Sequence, residues 1–192
     1  MRETYLLIGL GNPGREYREN RHNIGFMLID RLAVKLDVRF TRLQSRALVA
    51  PATYQDHKLI LAKPQTFMNL SGQAVQGLVH FYKLPLLNLL IAHDDLDLPL
   101  GTIRIRPDGG SAGQKGMASI IERLGTDEFP RLRLGIGHPP GLMEAADYVL
   151  QDLPDEERPL ISETLNRATE AALLFVREGL AAAMNQFNGS IV

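Results

Sequence analysis

Short, almost wholly apolar runs alternate along this chain with longer stretches in which apolar residues recur every three or four positions. Residues 4–9 (T-Y-L-L-I-G) form such a run, closed by glycine, and 88–93 (N-L-L-I-A-H) form another; both read as buried strands. Residues 23–36 are apolar over a broad face, which predicts a buried helix. Stretches 46–54 and 58–63 read as two strands joined by the turn Gln55-Asp56-His57. Over 71–83 the pattern predicts a helix with Val75, Leu78, Val79 and Tyr82 on one stripe and Ser71 as its cap. In 101–106, Ile103 and Ile105 alternate with Arg104 and Arg106, so that strand should carry a basic face; 131–137 (R-L-R-L-G-I-G) repeats the pattern. Further helices are predicted over 115–124, over 161–176 through Ile161, Leu165, Ala168, Ala172 and Phe175, and over 180–187.

Strands and helices intermix along the whole length, with no linker, repeat or low-complexity tract. The expectation is one α/β domain over residues 1–192, with a mixed, mostly parallel central sheet and helices on both faces. The hairpin within 46–63 supplies the antiparallel part.

At 192 residues, 45% apolar and 22% charged, the chain has ordinary globular composition and enough length for a sizeable core. It has no cysteine, hence neither a disulfide framework nor a thiolate metal site. The first apolar run is broken at Gly9 and Gly11, too short for a signal-peptide core or a membrane span, which predicts a soluble cytoplasmic protein without a membrane partner. The net charge of −1 is unevenly spread: residues 1–133 hold 18 Lys/Arg against 13 Asp/Glu, and residues 134–192 hold 3 against 9. Such asymmetry fits a basic binding face backed by an acidic surface, and equally a randomly uneven solvated one.

Residues 9–14, Gly-Leu-Gly-Asn-Pro-Gly, fit the G-x-G-x-x-G string of dinucleotide-binding proteins. That fingerprint requires a helix opening inside the motif, and Arg15-Glu16-Tyr17-Arg18-Glu19-Asn20-Arg21 offers no apolar stripe to pack one. What remains is a tight turn holding Asn12 at the carboxyl end of the first strand.

Four polar spots share that kind of placement: Asn12, His22-Asn23 before the first helix, Asn69 before the helix at 71, and His93-Asp94-Asp95 after the second apolar strand. Singly, each has an ordinary structural explanation as a cap or solvated turn, and Asp94, Asp95 and Asp97 could also offer oxygen ligands to a divalent metal. Jointly they suggest chemistry, because an α/β sheet gathers its strand ends in one crevice. A histidine can accept a proton from water near neutral pH, a carboxylate on its other nitrogen fixes the tautomer, and asparagine amides can hold a developing oxyanion. With no G-x-S-x-G elbow and no cysteine, direct attack by water is the simpler route.

These residues resemble the bacterial-type peptidyl-tRNA hydrolase family. The resemblance rests on G-L-G-N-P-G at 9–14, Y-x-x-N-R-H-N-x-G at 17–25, K-P-x-T-F-M-N-x-S-G at 63–72, H-D-D-L-D-L-P-x-G at 93–101 and R-L-R-L-G-I-G-H-P at 131–139, in family order. It implies a mixed-sheet α/β fold and hydrolysis of the ester between a peptide and the terminal ribose of tRNA, with peptidyl-tRNA as the partner. It implies no cofactor and no metal, and nothing in the sequence demands more than a monomer. It further implies His22 as general base and Asp94 as the carboxylate that orients it. Asn12 and Asn69 would bind the peptide main chain, Tyr17, Phe67 and Met68 would line the crevice, and Arg106 and Arg133 would hold tRNA phosphate.

One block departs from the family. Where G-G-x-x-G-H-N-G is usual, residues 109–116 read Gly-Gly-Ser-Ala-Gly-Gln-Lys-Gly, so Gln114-Lys115 replaces His-Asn. Lysine cannot accept a hydrogen bond but offers a charge at a helix N-terminus, so Lys115 is expected to contact RNA phosphate. The alternative is a catalytically silent RNA-binding homologue of the same fold; a metal-dependent hydrolase using Asp94, Asp95 and Asp97 ranks below it. Residues 140–143 are expected to form a lid.

Overall fold

The computed structural model describes residues 2–190. Eight strands form one sheet: β1 (Thr4–Gly9), β2 (Arg42–Gln44), β3 (Ala47–Tyr54), β4 (His57–Pro64), β5 (Leu89–Asp95), β6 (Thr102–Arg106), β7 (Arg131–Gly135) and β8 (Gly189–Ser190). Their order across the sheet is β2-β3-β4-β1-β5-β7-β6-β8. The three central ladders, β4–β1, β1–β5 and β5–β7, are parallel. The four outer ladders are antiparallel. The sheet is therefore mixed, as expected, but parallel only at its centre. The β2-β3-β4 edge folds back through tight turns, which antiparallel pairing permits, whereas β6 reaches β7 by way of α3 and β8 joins from the far end of the chain.

The apolar runs of the central strands split by twos between the faces. Tyr5 and Leu7 of β1, Leu59 and Leu61 of β4, and Leu90 and Ala92 of β5 pack against α1 (Ile24–Lys35) and α5 (Arg158–Glu178). Leu6 and Ile8, Ile60 and Ala62, and Leu89 and Ile91 pack against α2 (Ser71–Tyr82) and α3 (Lys115–Leu124). A strand covered on both faces has no polar side to display, and its sequence reads as a continuous apolar run. A short α4 (Ala145–Val149) and α6 (Leu180–Phe187) complete the helices. Among the described residues, no helix is long and apolar enough to cross a membrane.

Two glycines bring the first helix unusually close to the sheet. A Cβ on Gly9 would stand 2.0 Å from the carbonyl oxygen of Gly25, and one on Gly25 would stand 2.5 Å from that of Ala92. Backbone packing at these positions lets the start of α1 lie directly on the ends of β1 and β5. Ser71 is not the cap expected of it: its hydroxyl donates to the carbonyl of Met68 at 2.7 Å.

Candidate active site

The carboxyl ends of β1 and β5 open into a crevice of about 400 Å³ whose lining includes Asn12, His22, Phe67, Met68, Asn69, Asp94, Gln114 and Lys115. His22 sits in a one-turn 3-10 segment (Arg21–Asn23) that leads into α1, buried except for the side toward the crevice. Its Nδ1 lies 2.8 Å from Asp94 Oδ2. An ionised carboxylate can only accept, so the proton is on Nδ1, and Nε2 keeps its lone pair with no protein partner among the described residues. That is the tautomer a general base requires.

Asn12 is fixed from two sides. Its backbone N–H donates to Asn23 Oδ1 and its carbonyl accepts from Asn23 Nδ2, each at 2.9 Å. Its own Oδ1 accepts the Met68 N–H at 2.7 Å. With the oxygen so committed, the amide presents Nδ2 as a donor to the crevice. Asn23 thus ties the first turn to the His22 segment instead of capping α1, where it makes no side-chain cap bond. Asn69 is exposed on the 3-10 turn Met68–Leu70 and lines the crevice with no capping role. Phe67, 59% exposed, forms an apolar rim above the buried Met68.

Tyr17 departs from expectation. It lies in the turn Arg15–Tyr17, half-buried, and is not among the residues lining the crevice. Residues 140–143 do not line it either. The opposite wall comes from Ala145, Ala146 and Val149 of α4 and from Leu150, beginning two residues beyond the expected lid. The glycine turn leads into no more than the three-residue 3-10 segment Arg15–Tyr17.

The three aspartates have separate duties. Asp95 is buried, pairs with Arg133 and accepts the Asp97 N–H at 2.8 Å. Asp97 is exposed and lies 3.7 Å from His138. Among the described residues, no three His, Cys, Asp or Glu side chains converge as metal ligands.

A second depression of about 450 Å³ adjoins the crevice through Ala112 and is lined by His93, Arg106, Asp108, Gly109, Gly110, Arg131 and Arg133. Arg106 and Arg133 are brought together there. Arg131 is buried and spent on structure: it donates to the carbonyls of Gly109 and Asp127, each at 2.6 Å, and to that of Phe129 at 3.2 Å. It thereby holds the loop leading to Gln114. His93 is 2% exposed and donates from Nδ1 to the Asp94 carbonyl at 2.8 Å; burial holds its pKa below the usual 6.5.

Two contributions went unread in the sequence. Gln114, noted there only as a departure, donates to Asp94. Arg21 is buried, pairs with Glu157, and lies 4.5 Å over the Tyr148 ring of α4. Asn20 pairs with Asp152 across an isolated antiparallel bridge, its Nδ2 donating at 2.7 Å. The segment carrying His22 is therefore stitched to the segment following α4.

A family model for peptidyl-tRNA hydrolase matches residues 6–191. The chain belongs to the peptidyl-tRNA hydrolase family. It is 47% identical over 185 residues to the peptidyl-tRNA hydrolase of Alkaliphilus oremlandii, covering 96% of this chain and 100% of that one. A second member, from a Thermoanaerobacter species, is 48% identical with the same coverage. The crystal structure of the family's enzyme from Acinetobacter baumannii superposes with a TM-score of 0.91 at 36% identity, covering 97% of this chain and 95% of that one. A 5'-methylthioadenosine nucleosidase from Arabidopsis thaliana, at 9% identity, covers 93% of this chain and 97% of that one with a TM-score of 0.51, and shares the fold alone.

Proposed function

We propose that this protein hydrolyses the ester joining a peptide, or an N-acylated amino acid, to the terminal ribose of tRNA, returning tRNA from stalled translation in the cytoplasm. The observation that carries the reading is the His22–Asp94 pair, whose free Nε2 sits in a crevice with amide donors beside it. Membership of the family supplies the substrate.

In this reading Nε2 of His22 takes a proton from water as its oxygen attacks the ester carbonyl carbon. Asp94 stabilises the imidazolium that forms. The Asn12 amide and Asn69 donate to the substrate's carbonyl groups, holding the main chain and the oxyanion. The carbon–oxygen bond to the ribose then breaks, and the proton on His22 passes to the departing ribose hydroxyl. Phe67 and Met68 on one wall and the aliphatic residues of α4 on the other enclose the acyl group. Arg106 and Arg133 hold tRNA phosphate without reading sequence, and exposed Lys115 adds a charge at the start of α3. All these residues come from one chain, so a monomer suffices.

The test is release of an N-acetylated amino acid from its tRNA by the purified protein, with chelator present. Wild type should cleave. His22→Ala should lose a factor on the order of 10² to 10⁴, and Asp94→Asn should fall sharply with its fold intact. Full activity in either variant would remove the assignment of the base, and tRNA binding without cleavage by the wild type would favour the silent RNA-binding reading.

A further inference from the structure

Asp94 has two carboxylate oxygens, and His22 uses one. The other, Oδ1, accepts from Gln114 Nε2 at 3.0 Å. The same amide group lies 3.2 Å from Met68 Sδ. On its other side, Gln114 Oε1 accepts the Met117 N–H at 2.7 Å and so caps α3. The amide's orientation is set by its neighbours: a backbone N–H can only donate and an ionised carboxylate can only accept, so both require the same placement of oxygen and nitrogen.

Gln114 is buried, and the space around it is built for it. At Gly116, a Cβ would stand 2.6 Å from Met68 Sδ and 3.0 Å from Gln114 Oε1, so any side chain there would disturb the bridge. Met68 is the residue whose N–H orients Asn12. One amide therefore touches the carboxylate that aligns the base and the side chain next to the oxyanion donor.

We propose that Gln114 is a positioning residue for the His22–Asp94 pair: it holds Asp94 by the oxygen that His22 does not use, with a donor that cannot titrate, and anchors it to the N-terminus of α3. The proposal rests on His22 acting as the base. Its competitor is that Gln114 only caps a helix. The two roles use opposite ends of one amide, so one substitution separates them.

Gln114→Glu keeps the oxygen that accepts from Met117 and replaces the donor facing Asp94 with a second carboxylate oxygen. Positioning predicts a kcat lower by about 10- to 100-fold, the scale of a small misplacement of a reacting group, with KM within about twofold. The melting temperature should fall only by what a second carboxylate beside Asp94 costs, because the cap survives. Gln114→His, which can again offer an N–H to Asp94, should recover most of the lost kcat. Nitrogen NMR of the His22 ring gives a readout independent of substrate: in wild type the proton stays on Nδ1, and in Gln114→Glu that preference should weaken.

Unchanged kcat and unchanged ring signals in Gln114→Glu would reduce Gln114 to a cap and overturn the proposal. A loss of activity that merely tracks a fall in melting temperature, unrescued by histidine, would overturn it as well. If wild type cleaves no ester while the ring signals still respond to Gln114→Glu, the positioning stands and the hydrolase reading fails.

Discussion

Two histidines adjoin the carboxylate Asp94, one in space and one in sequence, and burial gives them opposite duties. His22 keeps a nitrogen open to the crevice; His93, on the other face of β5, is enclosed and held neutral. Because the folded pKa of His93 lies below its unfolded value of 6.5, the unfolded chain binds a proton first as pH falls. The contribution of His93 to stability is thus intact above pH 6.5 and is lost progressively below it. His93→Gln should flatten the dependence of stability on pH through that acid window, read as denaturation midpoints in urea at successive pH values. An unchanged slope would mean that His93 does not stay neutral in the folded protein. At this scale the sequence was informative about placement: Asn12, His22 and Asp94, read as sitting at strand ends or before a helix, do meet in one crevice. It was silent where the role depends on reach. Nothing local marks Gln114 as Asp94's partner 20 positions away, or Arg21 as Glu157's partner 136 away. Tyr17 was misplaced because a motif match carries no information on which way a turn points its side chain.

Among the elements, the buried ones were legible and the exposed or very short ones were not. β1 and β5 announce themselves as apolar runs; α3 has the expected bounds, and so does α6, although it buries only Ala183. β2 is three residues on the sheet's edge with no apolar face to reveal it, and α4 buries only Tyr148. Yet α4 forms a wall of the crevice, and the chain after it holds the His22 segment through Asp152 and Glu157. The Arg21 guanidinium is enclosed and relies on Glu157 for its counter-charge, while Glu157 itself is partly open to water. Glu157→Ala would leave that cation unpaired. A cost of about 1 to 3 kcal/mol is expected, measured by urea unfolding, with a drop in kcat as the turn bearing His22 loosens. If stability falls without any change in kcat, the clamp serves the fold alone.

Across the whole molecule, the depression beside the crevice gathers Arg106, Arg131 and Arg133 in one place. Of the four arginines on β6 and β7, Arg131 is buried in the loop, and Arg133 is shared with Asp95, whose removal from Arg133 would strand a buried carboxylate. Arg106 is exposed and is the cleaner probe. Arg106→Ala should weaken tRNA binding and reduce the slope of log affinity against log salt by roughly 1, the signature of one lost phosphate contact. Lys115→Asn should act on affinity and salt slope in the same way, with little effect on the rate at saturating tRNA. Affinities and salt slopes unchanged from wild type in both variants would place the RNA elsewhere.

The seam joining residues 20–22 to 151–157 also has a meaning in time. A chain emerging from the ribosome presents His22 early, yet the partners that seat its turn are made more than a hundred residues later. At roughly 5 to 20 residues per second, synthesis leaves the turn bearing His22 for several seconds without these partners. While it is being made, the nascent chain is itself esterified to a tRNA, so it belongs to the class of molecule proposed as substrate. If Glu157→Ala lowers kcat, the seam seats the base as well as the fold, and a nascent chain acquires that seat only when the last third of its sequence has been made.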